Sequence, residues 1–410
     1  MKINVLHINY SDGGGAAKAS LTLHQELLKK GITSNYLALN LTKEYLVNDY
    51  VYSHRRVYNS LFEKAYYLYY KARRINNKIE QLFKGLPKTP EISTFPISTF
   101  DITKDPLYKE ADIIHLHFIT QFVDFPSFFN SNKKPIIWTL HDRNPFSGVK
   151  HCNYNFPEKE FSNLEKQAVK IKINALNGQD VHVVSPSISY ESASLSSEVL
   201  GGFPHSVINH GIDQTVYHPL DKSACREKLN LLKEDVIFLV VATDLENRSL
   251  KGFDKIVKLA TNMQESNVLF YAVGNHNEKN KLPKNIKLAG VIDSPDQLNC
   301  IYNACDYHLS ASLEESFGLT VAESIAAGTP VICYNVGGLK DIVKHNENGV
   351  LVEFNNFEEL QKTVINYAKE KVCFNRESIK KDAVNRFDLS TQTEKYIKLY
   401  KKVLKNKISL

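Results

Sequence analysis

KINVLHINYSDGGGAAKASLTLHQELLKKGITSNYLALNL, residues 2–41, reads as strand, glycine turn, helix and strand in succession. KINVLHI has the alternation of a strand, and SDGGGA breaks it. From Ala16 to Lys30, the apolar residues Ala19, Leu23, Leu27 and Leu28 fall at helical spacing. Gly31 stops that helix before NYLALNL resumes a strand. A βαβ unit of this kind predicts a parallel sheet covered by helices, because the return crossover between parallel strands is normally a helix.

The pattern recurs outward from there. DIIHLHFI, KPIIWTLHD, DVHVVSP and VINHGID are short apolar strands at α/β spacing. A second series opens at DVIFLVVAT and runs through VLFYAVG, NIKLAG, YHLSAS, PVICYN and GVLVE. Gly201, Gly202, Pro204 and Pro219 cluster between the two series, so two α/β halves joined around residues 200–220 are expected. Residues 45–100 interrupt the first series, and VYNSLFEKAYYLYYKARRINNKIEQLF predicts a long helical insertion there. A last helix over Thr391–Lys405 gathers Tyr396, Leu399, Tyr400, Val403 and Leu404 on one face and is expected to dock. No internal repeat of 20 to 50 residues is visible.

Composition narrows the function classes. The 410 residues are 43% hydrophobic and 23% charged, which describes a globular protein rather than a disordered or fibrous one. At roughly 150 residues per domain, two or three domains are expected. The longest apolar run, Val236–Ala242, is far short of the ~20 residues that cross a bilayer. The alternating N-terminus lacks the apolar core of a secretory leader. The six cysteines form no C-x-x-C pair, so free thiols in a reducing cytoplasm are expected and a zinc site is not. Residues 51–88 hold nine Lys/Arg and two Glu, more than the whole net charge of +6, so nucleic-acid binding spread over the chain is not expected. The tyrosines 52, 58, 66, 67, 69 and 70 interleave with those cations. That segment reads as a solvated helical cover or as a contact for an anionic membrane surface carrying a lipid-linked acceptor, with nucleic acid the third and least favoured reading.

Four features could carry chemistry. Gly13, Gly14 and Gly15 lie between a strand and a helix, where bare backbone admits a ligand and a helix N-terminus offers N–H donors. The nicotinamide fingerprint is not met, because position 18 is Lys. NRSLKG, residues 247–252, puts Arg248 and Lys251 beyond the carboxyl end of a strand, where two cations could clamp a diphosphate. SLEESFGLTVAESIAAGTP, residues 312–330, places Glu315 before a helix predicted from about Gly318 to Ala327, with Ser316 as its expected N-cap and Glu323 inside it. Amides near Phe317, Gly318 and Leu319 can take sugar or phosphate oxygens, and a carboxylate suits vicinal hydroxyls. His115 and His117 share one strand face and read as structural, while His141-Asp142 ends the next strand. No D-x-D occurs, so a carboxylate-held metal of the kind that binds nucleotide diphosphates is not expected.

At these residues the sequence resembles the retaining glycosyltransferases of family 4, the group 1 family of GT-B fold. The match includes the glycine loop, DIIHLHFI, WTLHD, NHGID, the KG lysine, ESFGLTVAE, AAGTPVICYNVGGLKDIV and NGVLV. WTLHD with the later Pro-Phe-Ser-Gly stretch and His151-Cys152 is similar to a bacterial surface-polysaccharide branch. The resemblance implies two Rossmann-like domains with mostly parallel sheets facing across a cleft. The N-terminal acceptor-binding domain would be 1–205 with an insertion at about 45–100, the nucleotide-sugar-binding domain 206–385, and a helix at 386–410 would cross back.

The resemblance also assigns roles. Glu323 would take the ribose hydroxyls of a nucleoside-diphosphate sugar. Glu315, Ser316 and the amides of Phe317, Gly318 and Leu319 would hold the donor, together with Val291. Lys251 and Arg248 would pair with the diphosphate, Gly13–Gly15 would close on phosphates and acceptor, and His141 would touch the donor sugar. The family's usual phosphate arginine lies about six residues before the lysine, where this chain has Leu245. The implied reaction is metal-independent transfer with retention, without a cofactor, to a saccharide or lipid-linked acceptor in surface polysaccharide biosynthesis. Its setting would be cytoplasmic, at the inner face of the membrane. The rivals are a non-catalytic partner subunit and a nucleotide-sugar epimerase on the same fold.

Overall fold

The computed structural model describes residues 3–54, 60–67, 72–245, 249–264, 267–276 and 282–408. The chain divides into two compact units, Met1–Ile208 with Thr393–Leu410, and Asn209–Gln392.

The first unit is built on seven parallel strands: β1 (Asn4–Ser11), β2 (Thr33–Asn40), β3 (Val51–Ser53), β4 (Ile113–Leu116), β5 (Ile136–Thr139), β6 (Val181–Ser185) and β7 (His205–Val207). Their order is β3-β2-β1-β4-β5-β6-β7. Both faces are covered, as a parallel sheet requires. Leu6, Ile8, Leu116 and Trp138 pack on Phe125, Phe128 and Phe129 on one face. Val5, Ile113, Ile137 and Val184 pack on Leu23 and Leu27 of the first helix, Gly14–Lys29, on the other.

The C-terminal helix, Leu389–Ile408, shares that second face. Its Tyr396, Leu399, Tyr400 and Val403 are buried among the same residues. Each such side chain contributes roughly 1.5–3 kcal/mol on burial, which is why the helix docks.

The second unit has six parallel strands: β8 (Val236–Asp244), β9 (Val268–Asn275), β10 (Ile286–Gly290), β11 (Tyr307–Ser310), β12 (Val331–Tyr334) and β13 (Gly349–Val352). Their order is β10-β9-β8-β11-β12-β13. Each sheet therefore reverses its winding once, between β1 and β4 and between β8 and β11. The carboxyl ends of those strand pairs are where open α/β sheets bind ligands.

Two sequence expectations need correction. The strand assigned to VINHGID lies earlier, at His205–Val207, and within that stretch Ile212 makes an isolated bridge to Asp388. The 45–100 insertion contains an unforeseen edge strand, β3, with Val51 opposite Tyr36. Three residues are too few to show a period of two. Among the described residues, the expected helical insertion holds helical turns over Leu61–Tyr66 and Ala72–Phe83. Arg55, Arg56, Tyr58, Tyr69, Tyr70 and Lys71 lie outside the described residues. All six cysteines are free. Among the described residues no helix is long and apolar enough to cross a membrane.

Candidate active site

In the second unit the predicted residues converge through backbone contacts. Lys251 closes a short turn, Ser249–Lys251, after β8. Gly252 follows at φ +67, and a Cβ there would stand 2.1 Å from the Ala311 carbonyl oxygen. Only glycine lets the lysine loop approach the loop after β11 so closely. The Leu313 amide also donates to the Leu250 carbonyl at 2.7 Å. Laced in this way, the Lys251 ammonium donates to Glu315 Oε1 at 2.5 Å. The lysine side chain is 30% exposed and the glutamate 16%, so both are at the surface of the site.

The glycine pair of NVGGL supports the other side of the same loop. The Gly338 amide donates to the Glu315 carbonyl at 2.9 Å. A Cβ on Gly337, at φ +49, would fall 2.1 Å from that carbonyl oxygen, and one on Gly338 would fall 2.6 Å from Phe317 Cα. The Phe317 ring is buried, edge-on to His210 at 5.2 Å, so the backbone and not the ring of Phe317 is available to a ligand.

The helix that follows runs Leu319–Ala326 and opens at Gly318, φ +107 and ψ 62, with no side-chain cap. Ser316 is therefore not its N-cap, because the left-handed glycine two residues later turns the chain into the helix. The Val321 amide donates to the Gly318 carbonyl at 3.0 Å, and the amides before it have no intrahelical acceptor and form an anion-binding end. From Val321 to Ala326 every residue of this helix is buried. Glu323 is among them, only 1% exposed, and its Oε2 accepts from the Tyr302 hydroxyl at 3.0 Å. Burial first, and the neighbouring Glu323 charge second, push the Tyr302 phenol well above its ordinary value, so it stays a donor. Tyr302 carries no sequence signal for this role.

Val291 follows the edge strand β10 and is exposed. Leu245 is buried, so the family's usual arginine position is filled by core here. Arg248 lies outside the described residues. A cavity of about 380 Å³ lined by Arg226, Asp306 and Arg376 lies at the opposite, amino end of the β8 and β11 strands. Its arginines are held in structural bonds, Arg226 to Asp306 and Arg376 to Gly328 and Thr329.

In the first unit, Gly13–Gly15 are exposed at the start of the first helix, whose N-cap Gly13 makes no side-chain cap bond and whose first turn holds no acid. Asp12 ties this loop down, accepting from the Thr42 and Lys43 amides, each at 2.9 Å, and from the Tyr45 hydroxyl at 3.2 Å. His141 is half-buried after β5, and its Nε2 meets His117 Nδ1 at 3.1 Å. Asp142 Oδ2 pairs with His151 Nδ1 at 2.5 Å, and Cys152 is buried beside them in sequence.

Two residues on the helix Glu158–Leu176 hold the loop that carries this pair. The carboxylate of Glu165 accepts from the amides of Gly148, Val149 and Lys150 at 2.7, 2.8 and 2.9 Å. The fully buried Lys172 ammonium donates to the carbonyls of Asn144, Ser147 and Gly148. Burial pulls Lys172 down to about 7, while Glu165 and Asp142 act in the opposite sense. Sequence reasoning missed both, since an acid and a lysine on an amphipathic helix look like ordinary surface charges.

Comparison with known proteins agrees with this architecture. The family described as glycosyl transferases group 1 matches residues 201–386. A D-inositol 3-phosphate glycosyltransferase of Rhodococcus jostii is 32% identical over 164 residues, which span 36% of this chain and 36% of that protein. An uncharacterized 41.2 kDa protein in the cps region of Klebsiella pneumoniae is 24% identical over 73% of this chain and 81% of its own length. Among solved structures, a sucrose-phosphate synthase from Thermosynechococcus elongatus superposes with a TM-score of 0.70 at 16% identity, covering 99% of this chain and all of that one. Anabaena HepE in complex with UDP and glucose reaches 0.67, also at 16% identity, over 98% of this chain and all of its own. The chain therefore has the GT-B fold of two Rossmann-like domains with parallel sheets, and its residues 201–386 match the model of the group 1 glycosyl transferases.

Proposed function

We propose that this protein is a retaining, metal-independent glycosyltransferase that moves a sugar from a nucleoside-diphosphate donor to a saccharide or lipid-linked acceptor in surface polysaccharide biosynthesis. The observation that carries the reading is the Lys251–Glu315 pair, held beside the uncapped start of the Leu319–Ala326 helix. A cation, an acid and free amides in one place suit a sugar diphosphate. The UDP in the HepE complexes makes a uridine diphosphate sugar the first donor to try. The relative from the cps region supports the polysaccharide setting.

In the proposed reaction the anomeric C–O bond to the diphosphate breaks and a C–O bond to the acceptor hydroxyl forms on the same face. The hydroxyl proton passes to the leaving phosphate. Lys251 and the helix-end amides stabilise charge growing on the diphosphate. Glu315 and His141 contact the donor sugar, and Glu323 takes the ribose. Metal independence rests on the missing D-x-D and on Lys251 with the helix-end amides.

A membrane surface is part of the proposal. Leu61 and Phe62 are 86% and 81% exposed, and Arg73, Arg74 and Lys78 are exposed on the next described helix. Leu82 and Phe83 of that helix pack on Phe161 and its neighbours, which leaves the basic side outward. Apolar side chains beside cations suit an anionic bilayer at the cytoplasmic face.

The deciding experiment is a thermal-shift screen with UDP, GDP, ADP, CMP and NADH, followed by turnover of the matching sugar nucleotide with and without EDTA. A ligand at a hundred times its Kd adds about 2.7 kcal/mol to the native state. One nucleotide should stand out, turnover should survive EDTA, and the product should keep the donor's anomeric configuration. Binding without turnover would favour the non-catalytic subunit, and donor conversion without acceptor an epimerase. Sedimentation with anionic liposomes that is unchanged by Leu61→Ser with Phe62→Ser would remove the membrane role.

A further inference from the structure

The first unit buries a row of imidazoles beneath His141. His7 on β1 and His115 on β4 are register partners, and His117 follows His115 on the same face. The His7 and His117 rings stack at 5.2 Å and 14°. The His115 ring lies 4.2 Å from His117 and 4.8 Å from His7. Ring nitrogens of the three come within 4.8 Å of one another, and among the described residues no carboxylate or thiol joins them. His115 uses both nitrogens, one on the Tyr400 hydroxyl and one on Thr139 Oγ1, each at 2.8 Å. A metal bound there would have to break one of those bonds. His115 thus fastens the C-terminal helix to the sheet.

The other two rings form a line that ends on His141. His7 Nδ1 meets His117 Nε2 at 2.9 Å, and His117 Nδ1 meets His141 Nε2 at 3.1 Å. Each contact needs one N–H and one lone pair, and a neutral imidazole has one of each. Burial keeps His7 neutral, helped by the adjacent His115 and His24. The line can then run in only two senses. Among the described residues, His7 Nε2 is buried without a partner. If protons point inward, that atom is an orphaned N–H. If they point outward, it is only a bare lone pair. An orphaned buried donor is the rarer and less tolerated of the two. The outward sense wins, with His7 donating to His117 and His117 donating to His141 Nε2.

We propose that His7 and His117 are positioning residues that hold His141 as its Nδ1–H tautomer. His141 then carries its proton on Nδ1, and its Nε2 lone pair is engaged by His117. For its consequence in turnover this rests on the reading of His141 as a sugar contact, but the tautomer itself does not. A donor there would bind an oxygen of the donor sugar, which agrees with the acceptor proton leaving on phosphate.

The test is long-range ¹H–¹⁵N correlation on the full chain labelled with ¹⁵N-histidine, His141 being assigned by its loss in His141→Asn. The expected result is a protonated Nδ1 and an unprotonated Nε2 on His141. In His117→Phe that preference should be lost to a mixture of both tautomers. A protonated Nε2 in the wild type, or a tautomer unchanged in His117→Phe, overturns the proposal. If His117→Phe does not fold, as judged by thermal unfolding, His7→Phe is read in the same way. One equivalent of Zn²⁺ that perturbs His7, His115 and His117 together and raises Tm would reveal a metal site and overturn it as well. Under a transferase assay His117→Phe should lose about tenfold in kcat with KM for the donor little changed. A chain that turns over no sugar nucleotide refutes the transferase reading, whereas the spectra decide the tautomer by themselves.

Discussion

Lys251 Nζ rests 2.5 Å from Glu315 Oε1, which joins the loops after β8 and β11 across 64 residues of sequence. The cation assigned to a diphosphate is thus already neutralised by the acid assigned to the sugar. A bare nucleotide must draw the lysine away from that acid. Glu315→Gln should therefore bind UDP about threefold more tightly by calorimetry, while sugar transfer falls at least a hundredfold. Lys251→Ala should weaken UDP about tenfold or more. Equal weakening in both variants would mean that Glu315 does not compete for the lysine.

The glycine pair should be as demanding as the charged residues. Gly337→Ala puts a Cβ 2.1 Å from the Glu315 carbonyl oxygen in a left-handed backbone. We expect a loss of roughly 1–3 kcal/mol and of nucleotide binding. A variant that binds UDP like wild type would show that the Glu315 loop is not held by this contact.

Tyr302 should matter although a ligand touches it only through Glu323. Tyr302→Phe deletes the donor to Glu323 Oε2 and leaves that buried carboxylate short of a bond. Nucleotide affinity should fall about three- to tenfold, with a Tm several degrees lower. Unaltered affinity would place the ribose contact elsewhere.

Lys172→Met keeps the apolar stem but abandons three carbonyls of the 144–148 loop. Stability should drop by about 2–4 kcal/mol in urea denaturation. Because that loop follows His141 and Asp142, kcat should fall as well. An equally stable variant would mean that Glu165 holds the loop alone.

Asp12 yields a pH prediction. Burial would raise its carboxyl, but the amides of Lys43 and Thr42 outweigh burial and hold it below its ordinary value. Its stabilising contribution is therefore complete above about pH 4 and is lost as pH falls through the lower, folded value. Asp12→Asn should be less stable than wild type at pH 7, and the two should converge toward pH 2. A difference that stays constant from pH 7 to pH 2 would refute the assignment.

Much of the architecture was legible because parallel α/β folding is written in local periodicity. The unbroken apolar strands, the helical spacing of Leu23 and Leu27, and the burying face of Tyr396 and Tyr400 all reappear in the two cores. β3 was not legible, since three half-polar residues become a strand only by pairing with β2. Ser316 was misread as a cap because residue preference cannot show which backbone turns left-handed. Here Gly318 does so against Leu339, 2.5 Å from where a Cβ would sit.

The sequence by itself determined the chemical inventory: a glycine loop, the Lys251-Gly252 pair, Glu315 and Glu323 eight apart, and a histidine ending a strand. Those signals lie within single segments, so spacing alone carries them. Only the tertiary structure decided what each group meets. Lys251 finds Glu315, Tyr302 finds Glu323, His7 finds His117, and Lys172 finds three carbonyls. Each of these bonds spans between 21 and 110 residues. Hydrogen bonds act over about 3 Å, so no local pattern encodes them, and they exist only once parallel strands have set distant segments side by side.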